Sequence, residues 1–429
     1  MALVVLGAPA FAGAPPPTTG KLVLHYLDVG QGDAILITSP SGKTVLIDGG
    51  PPEAGEHLAQ RLPELVRGKI DLVILSHPHL DHLGGLMKGL RAVGLKKYMD
   101  PKFEHPGKAY AELLEYVKSE GVPYLTPEVN PKDPTSLVEI GIGGGAVLHV
   151  LWPRRPAEPF LENTRSDANS NSIVLKLVFG HTAFLLVGDA EPDTEEYLMQ
   201  KNLDLTSTVL KAGHHGGRHS STDPWLDRVT PKAAVLSCGT DNKFGHPGAE
   251  TLERLARVGA HVYRTDIMGE ITAESDGRTV TVWAEREDTA HTRFAGEVNG
   301  PVATGKILPG VHHASEATVE DRNRYGKRAK ASPGPGNADV DGVPPEPGPA
   351  PLAPAPDPSS LIPDSVKRRY PEVDGAAQSA GEYVASSRSP VFHQADCASV
   401  KKMKPANRIA FKTRTAAAAN RRPAEDCNP

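Results

Sequence analysis

Six residues, His77-Pro78-His79-Leu80-Asp81-His82, constrain this chain more than any other stretch. They follow directly on an apolar run, Asp71-Leu-Val-Ile-Leu-Ser76, and precede Leu83-Gly-Gly-Leu-Met-Lys-Gly-Leu90, which reads as the start of a helix. The apolar run has the unbroken texture of a strand buried on both faces, as in a sheet covered by helices. Four metal-ligating side chains therefore crowd one tight turn at a strand end. His77 and His79, two apart on extended chain, point the same way. Asp81 and His82, at the bend, address a second position beside the first. Imidazole and carboxylate are the ligand set for Zn²⁺ and its first-row neighbours. One histidine at a strand end is ordinarily a satisfied polar residue, but three with an aspartate inside six residues make a metal turn.

The H-x-H-x-D-H turn resembles the defining motif of the metallo-β-lactamase fold superfamily. The resemblance implies an α/β (α+β) fold, an αββα sandwich with one or two metal ions between the sheet edges, and a hydrolase. Upstream, Asp28-Val-Gly-Gln-Gly-Asp33 turns between two strand-like runs, and Thr44-Val-Leu-Ile-Asp48 closes on Gly49-Gly50. Together with the metal turn, this pair is similar to the soluble metallo-hydrolase domain of ComEC-type competence proteins and their freestanding secreted relatives. No stretch is long and apolar enough for the multi-span channel of those proteins, so the resemblance carries over for the hydrolase half alone. Asp48 either caps its turn or accepts the second N–H of a ligating histidine.

Downstream, the runs Ile173–Phe179 and Thr182–Val187 read as a hairpin that ends in Gly188-Asp189-Ala190-Glu191. In the superfamily an aspartate here bridges the two metals, and the resemblance gives that role to Asp189. A two-metal hydrolase needs such a carboxylate to hold cations about 3.5–4 Å apart. Next, Ser207-Thr-Val-Leu-Lys-Ala-Gly213-His214-His215-Gly216-Gly217 again delivers histidine from a strand to a glycine-flexible loop. The resemblance assigns His214 to the second metal beside Asp81 and His82, with His215 turned to substrate or ligand support; the two are exchangeable. His219, Ser220 and Ser221 follow on a polar loop that either holds phosphate oxygens or is simply solvated. The loop Gly239–Pro247 places His246 at the cleft mouth, as a late metal ligand or as a donor to the substrate's oxyanion. Catalytic candidates are thus Asp81, His215 and His246, and Asp33, Asp48, Asn171 and Ser220 are candidates for supporting ligands or touching substrate. Many superfamily members carry a further histidine where Asn169, Asn171 and Ser172 stand here. The first ion then has only His77, His79 and Asp189, a set that is weaker, water-completed or better suited to Mn²⁺. Two divalent ions, Zn or Mn, are the implied cofactors.

At 429 residues the chain exceeds usual single-domain size, and a net charge of −5 makes no global electrostatic case for nucleic-acid binding. Residues 1–20 combine a short apolar segment with Ala10-Phe11-Ala12, a small-x-small cleavage pattern, and read as a secretory signal or a tail. The hydrolase domain is expected over 21–286. A polar, then Pro/Gly/Ala-rich linker follows over 287–380, with ten prolines in the 26 residues from Pro333 to Pro358, a composition that cannot bury enough apolar surface to fold. Residues 381–429 resemble the small Ada-like metal-binding module, with Phe392-His393 and Cys397 followed by Arg422-Pro423 and Cys427. Ala424 stands where that family has a further cysteine. His393, Cys397 and Cys427 hold a metal, or the two cysteines form a disulfide. This segment is also rich in Lys and Arg. It either docks on nucleic acid through phosphate contacts or serves solubility alone, and the salt dependence of DNA binding separates the two.

The function so implied is hydrolysis by a metal-bound hydroxide at a binuclear site. The link of ComEC-type domains to DNA degradation points to a phosphodiester, most directly nucleic acid. The alternatives are a small ester, lactone or phosphocholine substrate, or a metal-binding surface protein without turnover. The expected location is secreted or at the cell surface, and cytoplasmic if the N-terminal segment is only a tail.

Overall fold

The computed structural model describes residues 20–286 and 291–312, with the backbone of four short strands between 383 and 423. The expected signal segment, the Pro-rich stretch, Cys397, Cys427 and the side chain of His393 lie outside the described residues.

Strands β1 (Leu22–Tyr26), β2 (Ile35–Thr38), β3 (Thr44–Ile47), β4 (Leu72–Ile74), β5 (Tyr98–Met99) and β6 (Tyr124–Leu125) lie side by side in that order. A second sheet is built from β7 (Val138–Gly143), β8 (Ala146–Trp152), β9 (Val174–Phe179), β10 (Thr182–Leu186), β11 (Val209–Lys211), β12 (Ala233–Leu236) and β13 (His261–Arg264), again neighbour to neighbour. The chain then returns to the first sheet, where β14 (Ile271–Ser275) pairs with β1 and is extended by β15 (Thr279–Ala284) and β16 (Thr292–Ala295).

Each sheet changes from antiparallel to parallel pairing partway across. β3, β4, β5 and β6 are parallel, as are β10, β11, β12 and β13. Parallel neighbours need a crossover, usually helical. The crossovers are α1 (Gly55–Leu65), α2 (Leu80–Leu83), α3 (Leu86–Val93) and α4 (Lys108–Ser119) on the first sheet. Beyond α5 (Asp167–Ser170), the second sheet uses α6 (Pro192–Met199), α7 (Asp223–Val229) and α8 (Ala249–Arg257). The helix expected from Leu83 divides at Gly84-Gly85 into α2 and α3.

Three apolar clusters give the layer order. Leu22, Leu24, Ile35 and Ile37 of the first sheet meet Leu148, Leu175, Leu177 and Phe184 of the second in a core between the sheets. The other face of the first sheet, with Leu36, Leu46 and Val73, packs on Leu58, Leu62, Leu90 and Leu113 of the helices. The other face of the second, with Leu185, Leu210 and Ala234, packs on Leu198, Trp225, Leu226 and Leu255. The fold is therefore helix, sheet, sheet, helix. β3 and β4 are buried along their whole length, which explains their continuous apolar runs.

The packed unit runs past residue 286, where the sequence reading ended it. β16 pairs antiparallel with β15, and Val302 and Ile307 join the outer cluster of the second sheet. A separate unit contains four short strands, Tyr383–Ser386, Val391–Gln394, Arg408–Phe411 and Arg422–Pro423, the first of them flanked by the second and third. Among the described residues, no helix is long and apolar enough to cross a membrane.

Candidate metal centre

The C-terminal ends of parallel strands in both sheets face one cleft, the place where open α/β sheets collect ligand-binding loops. β3 ends at Asp48, β4 at the turn from Ser76 to His82, β10 at Asp189, β11 at His214-His215, and β12 at Ser237. Asp33 arrives from the loop before β2. Gly32 lets that loop press against the metal turn, because a Cβ there would meet the Asp81 carbonyl oxygen at 2.2 Å.

Valence counting fixes the orientation of three rings. The Ser76 hydroxyl donates its single proton to Asp48 Oδ2 at 2.7 Å, so towards His77 Nδ1, 3.0 Å away, it accepts. His77 therefore carries its proton on Nδ1, and its Nε2 lone pair faces His79 Nδ1 at 3.0 Å and Asp189 Oδ2 at 3.9 Å. His82 gives Nδ1–H to Asp48 Oδ2 at 2.8 Å, and its Nε2 lies 3.3 Å from Asp189 Oδ1. His215 gives Nδ1–H to the Ser237 carbonyl at 3.0 Å, with Asp33 Oδ1 at 3.3 Å on the same side. Its Nε2 lies 3.1 Å from Asp81 Oδ2 and 3.4 Å from Asp189 Oδ2. Outward N–H groups held by carboxylate, hydroxyl or carbonyl, with lone pairs inward, are how proteins orient metal-ligating histidines.

The interior of the cluster is left unsatisfied. Asp81 Oδ1, Asp189 Oδ1 and His82 Nε2 are buried and make no hydrogen bond among the described residues. Buried polar atoms are nearly always paired, so three orphans converging on one point are unusual. Ligand atoms of Asp33, His82, Asp189 and His215 all lie within 4.8 Å of one another. Electrostatics agree. Burial opposes charge on His82, yet Asp189, Asp48 and Asp81 hold its pKa well above the ordinary value. His215 is likewise raised against its burial by Asp189 and Asp33. Asp189 is held well below the carboxylate range, its burial outweighed by His215, His82 and His214. His77, by contrast, is pushed well down by burial and by His82 and His79. Buried carboxylates that draw protons onto neighbouring imidazoles are sites that want positive charge. The donor set fits divalent zinc or manganese.

The remaining candidates divide. Asp48 both caps, accepting the Ser76 N–H at 2.7 Å, and holds His82. His214, with φ of 47°, turns Nδ1 to Glu191 at 3.1 Å and Nε2 to Asp189 at 3.7 Å. Both His214 and His215 adopt left-handed backbone, a conformation costing about 1–2 kcal/mol. Asn171 spends its amide on the loop, bonding the backbone of Leu161 and Asp167. It is Asn169 that reaches towards the centre, donating to Glu191 Oε1 at 3.4 Å. The hydroxyl of Ser220 is buried without a hydrogen bond. His246 stands at the rim, ring centroids 5.4 Å from His214 and 6.1 Å from His215. Sequence reasoning missed Lys211, fully buried with Nζ 2.7 Å from Asp33 Oδ2, and Glu191, paired with Arg165 at 2.9 Å. It passed over Ser172 as a support: its hydroxyl accepts the Asp189 N–H at 3.2 Å and lies 3.2 Å from His77 Nδ1.

Residues 27–157, which contain the metal turn, match the family described as the metallo-beta-lactamase superfamily. That stretch carries a metallo-beta-lactamase domain. The chain has relatives among the competence proteins. It is 29% identical to ComE operon protein 3 of Bacillus subtilis over 60% of this chain and 34% of that protein. It is 30% identical to Recombination protein 2 of Haemophilus influenzae over 57% of this chain and 28% of that protein. With Competence protein ComA of Neisseria gonorrhoeae the identity is 30%, over 56% of this chain and 30% of that protein. The match thus spans about a third of each relative's length. Among solved structures, the metallo-beta-lactamase fold protein YhfI of Bacillus subtilis aligns over 59% of this chain and 100% of its own, with 12% identity and a TM-score of 0.38.

Proposed function

We propose that this metallo-beta-lactamase domain is a divalent-metal-dependent phosphodiesterase acting on nucleic acid. The observation that carries the reading is the convergence of inward lone pairs on orphaned carboxylate oxygens. Asp81, His82 and His215 would hold one cation, His77 and His79 another, with Asp189 between them. A cation held there supplies Lewis acidity to an attacked phosphoryl oxygen and to the attacking water.

The chain's own groups do the positioning. Asp81 Oδ2 lies 3.1 Å from His215 Nε2, while its buried Oδ1 is the atom assigned to orient the attacking water and take its proton. Asp48, Ser76 and Ser237 fix the rings so that little reorganisation is needed on binding. The relatives, named as competence and recombination proteins, support nucleic acid as substrate. A cell-surface location belongs to the same proposal, and fractionation of cells expressing the natural protein would check it.

The test is incubation of zinc- or manganese-loaded protein with single-stranded DNA, bis-p-nitrophenyl phosphate and a lactone. Turnover of the first two is expected. Turnover of the lactone alone would sink the phosphodiesterase reading, and turnover of nothing would leave a metal-binding protein.

A further inference from the structure

His246 is held more firmly than a rim loop requires. Asn242 ties the loop together: its amide nitrogen donates to the carbonyls of Gly239 at 2.9 Å and His246 at 2.6 Å. The Asn242 oxygen accepts the N–H groups of Phe244 at 3.2 Å and His246 at 3.0 Å. Phe244 stacks on the His246 ring with centroids 5.7 Å apart. The ring's Nδ1 lies 3.3 Å from Gln31 Nε2, and Gln31 Oε1 accepts the Gly239 N–H at 3.1 Å. Gly239 is required for that approach, since a Cβ there would come within 2.6 Å of the Gln31 backbone nitrogen.

This chain of bonds decides where the His246 proton sits. A backbone N–H only donates, so the Gln31 atom facing Gly239 is its oxygen. The other terminal atom of Gln31 is then NH₂, which also only donates. His246 Nδ1 must therefore accept, and a neutral ring carries its proton on Nε2. A ring whose Nδ1 accepts is neutral, since the protonated imidazole donates from both nitrogens. Among the described residues, no hydrogen bond occupies Nε2.

We infer that His246 is a hydrogen-bond donor to substrate through Nε2–H and not a metal ligand, and that Gln31 is the positioning residue that sets its tautomer. A nitrogen that holds its proton has no lone pair for a cation. Such a donor suits a non-bridging phosphoryl oxygen, where charge grows as the diester is attacked. The identity of that oxygen rests on the phosphodiesterase reading; the tautomer and the metal content do not.

The experiment uses the full chain loaded with zinc and labelled with ¹⁵N-histidine, with His246→Asn as the subtraction that identifies the ring. The expected signature is the Nε2–H tautomer. In Gln31→Met, zinc content is unchanged and the ring leaves the pure Nε2–H pattern. His246→Ala keeps the full zinc content after dialysis and lowers kcat for bis-p-nitrophenyl phosphate roughly 10²–10³-fold, with KM within about threefold. His246→Gln, which retains an amide donor, recovers about tenfold of that loss. An Nδ1–H tautomer in the parent protein, or loss of a zinc equivalent in His246→Ala, overturns the inference. If the parent protein does not turn over the diester, the phosphodiesterase reading fails, and tautomer and zinc content alone decide the role of His246.

Discussion

His215 Nε2 lies 3.1 Å from Asp81 Oδ2, so the second member of the His-His pair is the one that meets the aspartate of the metal turn. His214 instead lies between Asp189 and Glu191. The neighbouring rings share Asp189, and beyond it His215 meets Asp81 while His214 meets Glu191, both residues sitting in left-handed backbone.

This geometry sets the first prediction. Chelator competition should show His215→Ala weakening zinc at the tighter site by at least about tenfold more than His214→Ala does. Asp189→Ala, which removes the carboxylate facing His77, His82 and His215, should lose both ions and all activity. Two equivalents of zinc remaining in Asp189→Ala would refute its bridging place.

Asp48 gives a prediction about support rather than ligation. Asp48→Asn replaces an acceptor of the His82 N–H by a group that presents either an oxygen or a competing N–H. Removal of such a support costs roughly 10–100-fold in metal affinity. Zinc titration against a fluorescent chelator measures it, and unchanged affinity would reduce Asp48 to a turn cap.

Lys211 is predicted to matter through charge. Lys211→Met leaves the Asp33 carboxylate buried without its partner, a change costing about 3–5 kcal/mol. Urea unfolding should show that loss. The double variant Lys211→Met/Asp33→Leu should recover most of the stability, while its zinc affinity stays low because Asp33 no longer backs His215. Additive losses in the double variant would contradict the pairing.

Stability against acid should track Glu270. Burial would raise its pKa, but hydrogen bonds from His25 and Arg61 outweigh it and lower the group to about 2. A lowered carboxyl binds fewer protons folded than unfolded, so its contribution is complete above the unfolded value of about 4.3 and is lost as pH falls towards 2. Glu270→Gln should lower the melting temperature by several degrees at pH 7, for a loss of about 1.5–3 kcal/mol. The gap should close between pH 4.5 and pH 2; a constant gap over that range would exclude the charge as its cause.

Much of this was legible because burial writes itself into composition. β4 is buried on both faces, so its apolar run announced the strand and the turn it carries. β9 and β10 were legible as a hairpin for the same reason. β5 and β6 were not, since two residues each carry no period, and they exist only because their neighbours present open edges. Helix α1 has Leu58, Leu62 and Leu65 at helical spacing, but Pro63 within it obscures the pattern. Lys211 gave no signal of its own within its strand run, because its meaning lies in Asp33, distant in sequence and adjacent in space. The division of labour between His214 and His215 depends on backbone conformations that spacing does not encode.

The proposed ligand groups come from both sheets: His77, His79, Asp81 and His82 from one, Asp189 and His215 from the other. A cation among them would be a clasp across the seam of the sandwich. Each sheet on its own retains only half a grip, so affinity belongs to the closed sandwich and not to any peptide cut from it. Ligand at a hundredfold excess over its dissociation constant adds about 2.7 kcal/mol to the folded state. That energy would hold two layers together, and metal supply would then be a lever on how long the whole domain survives.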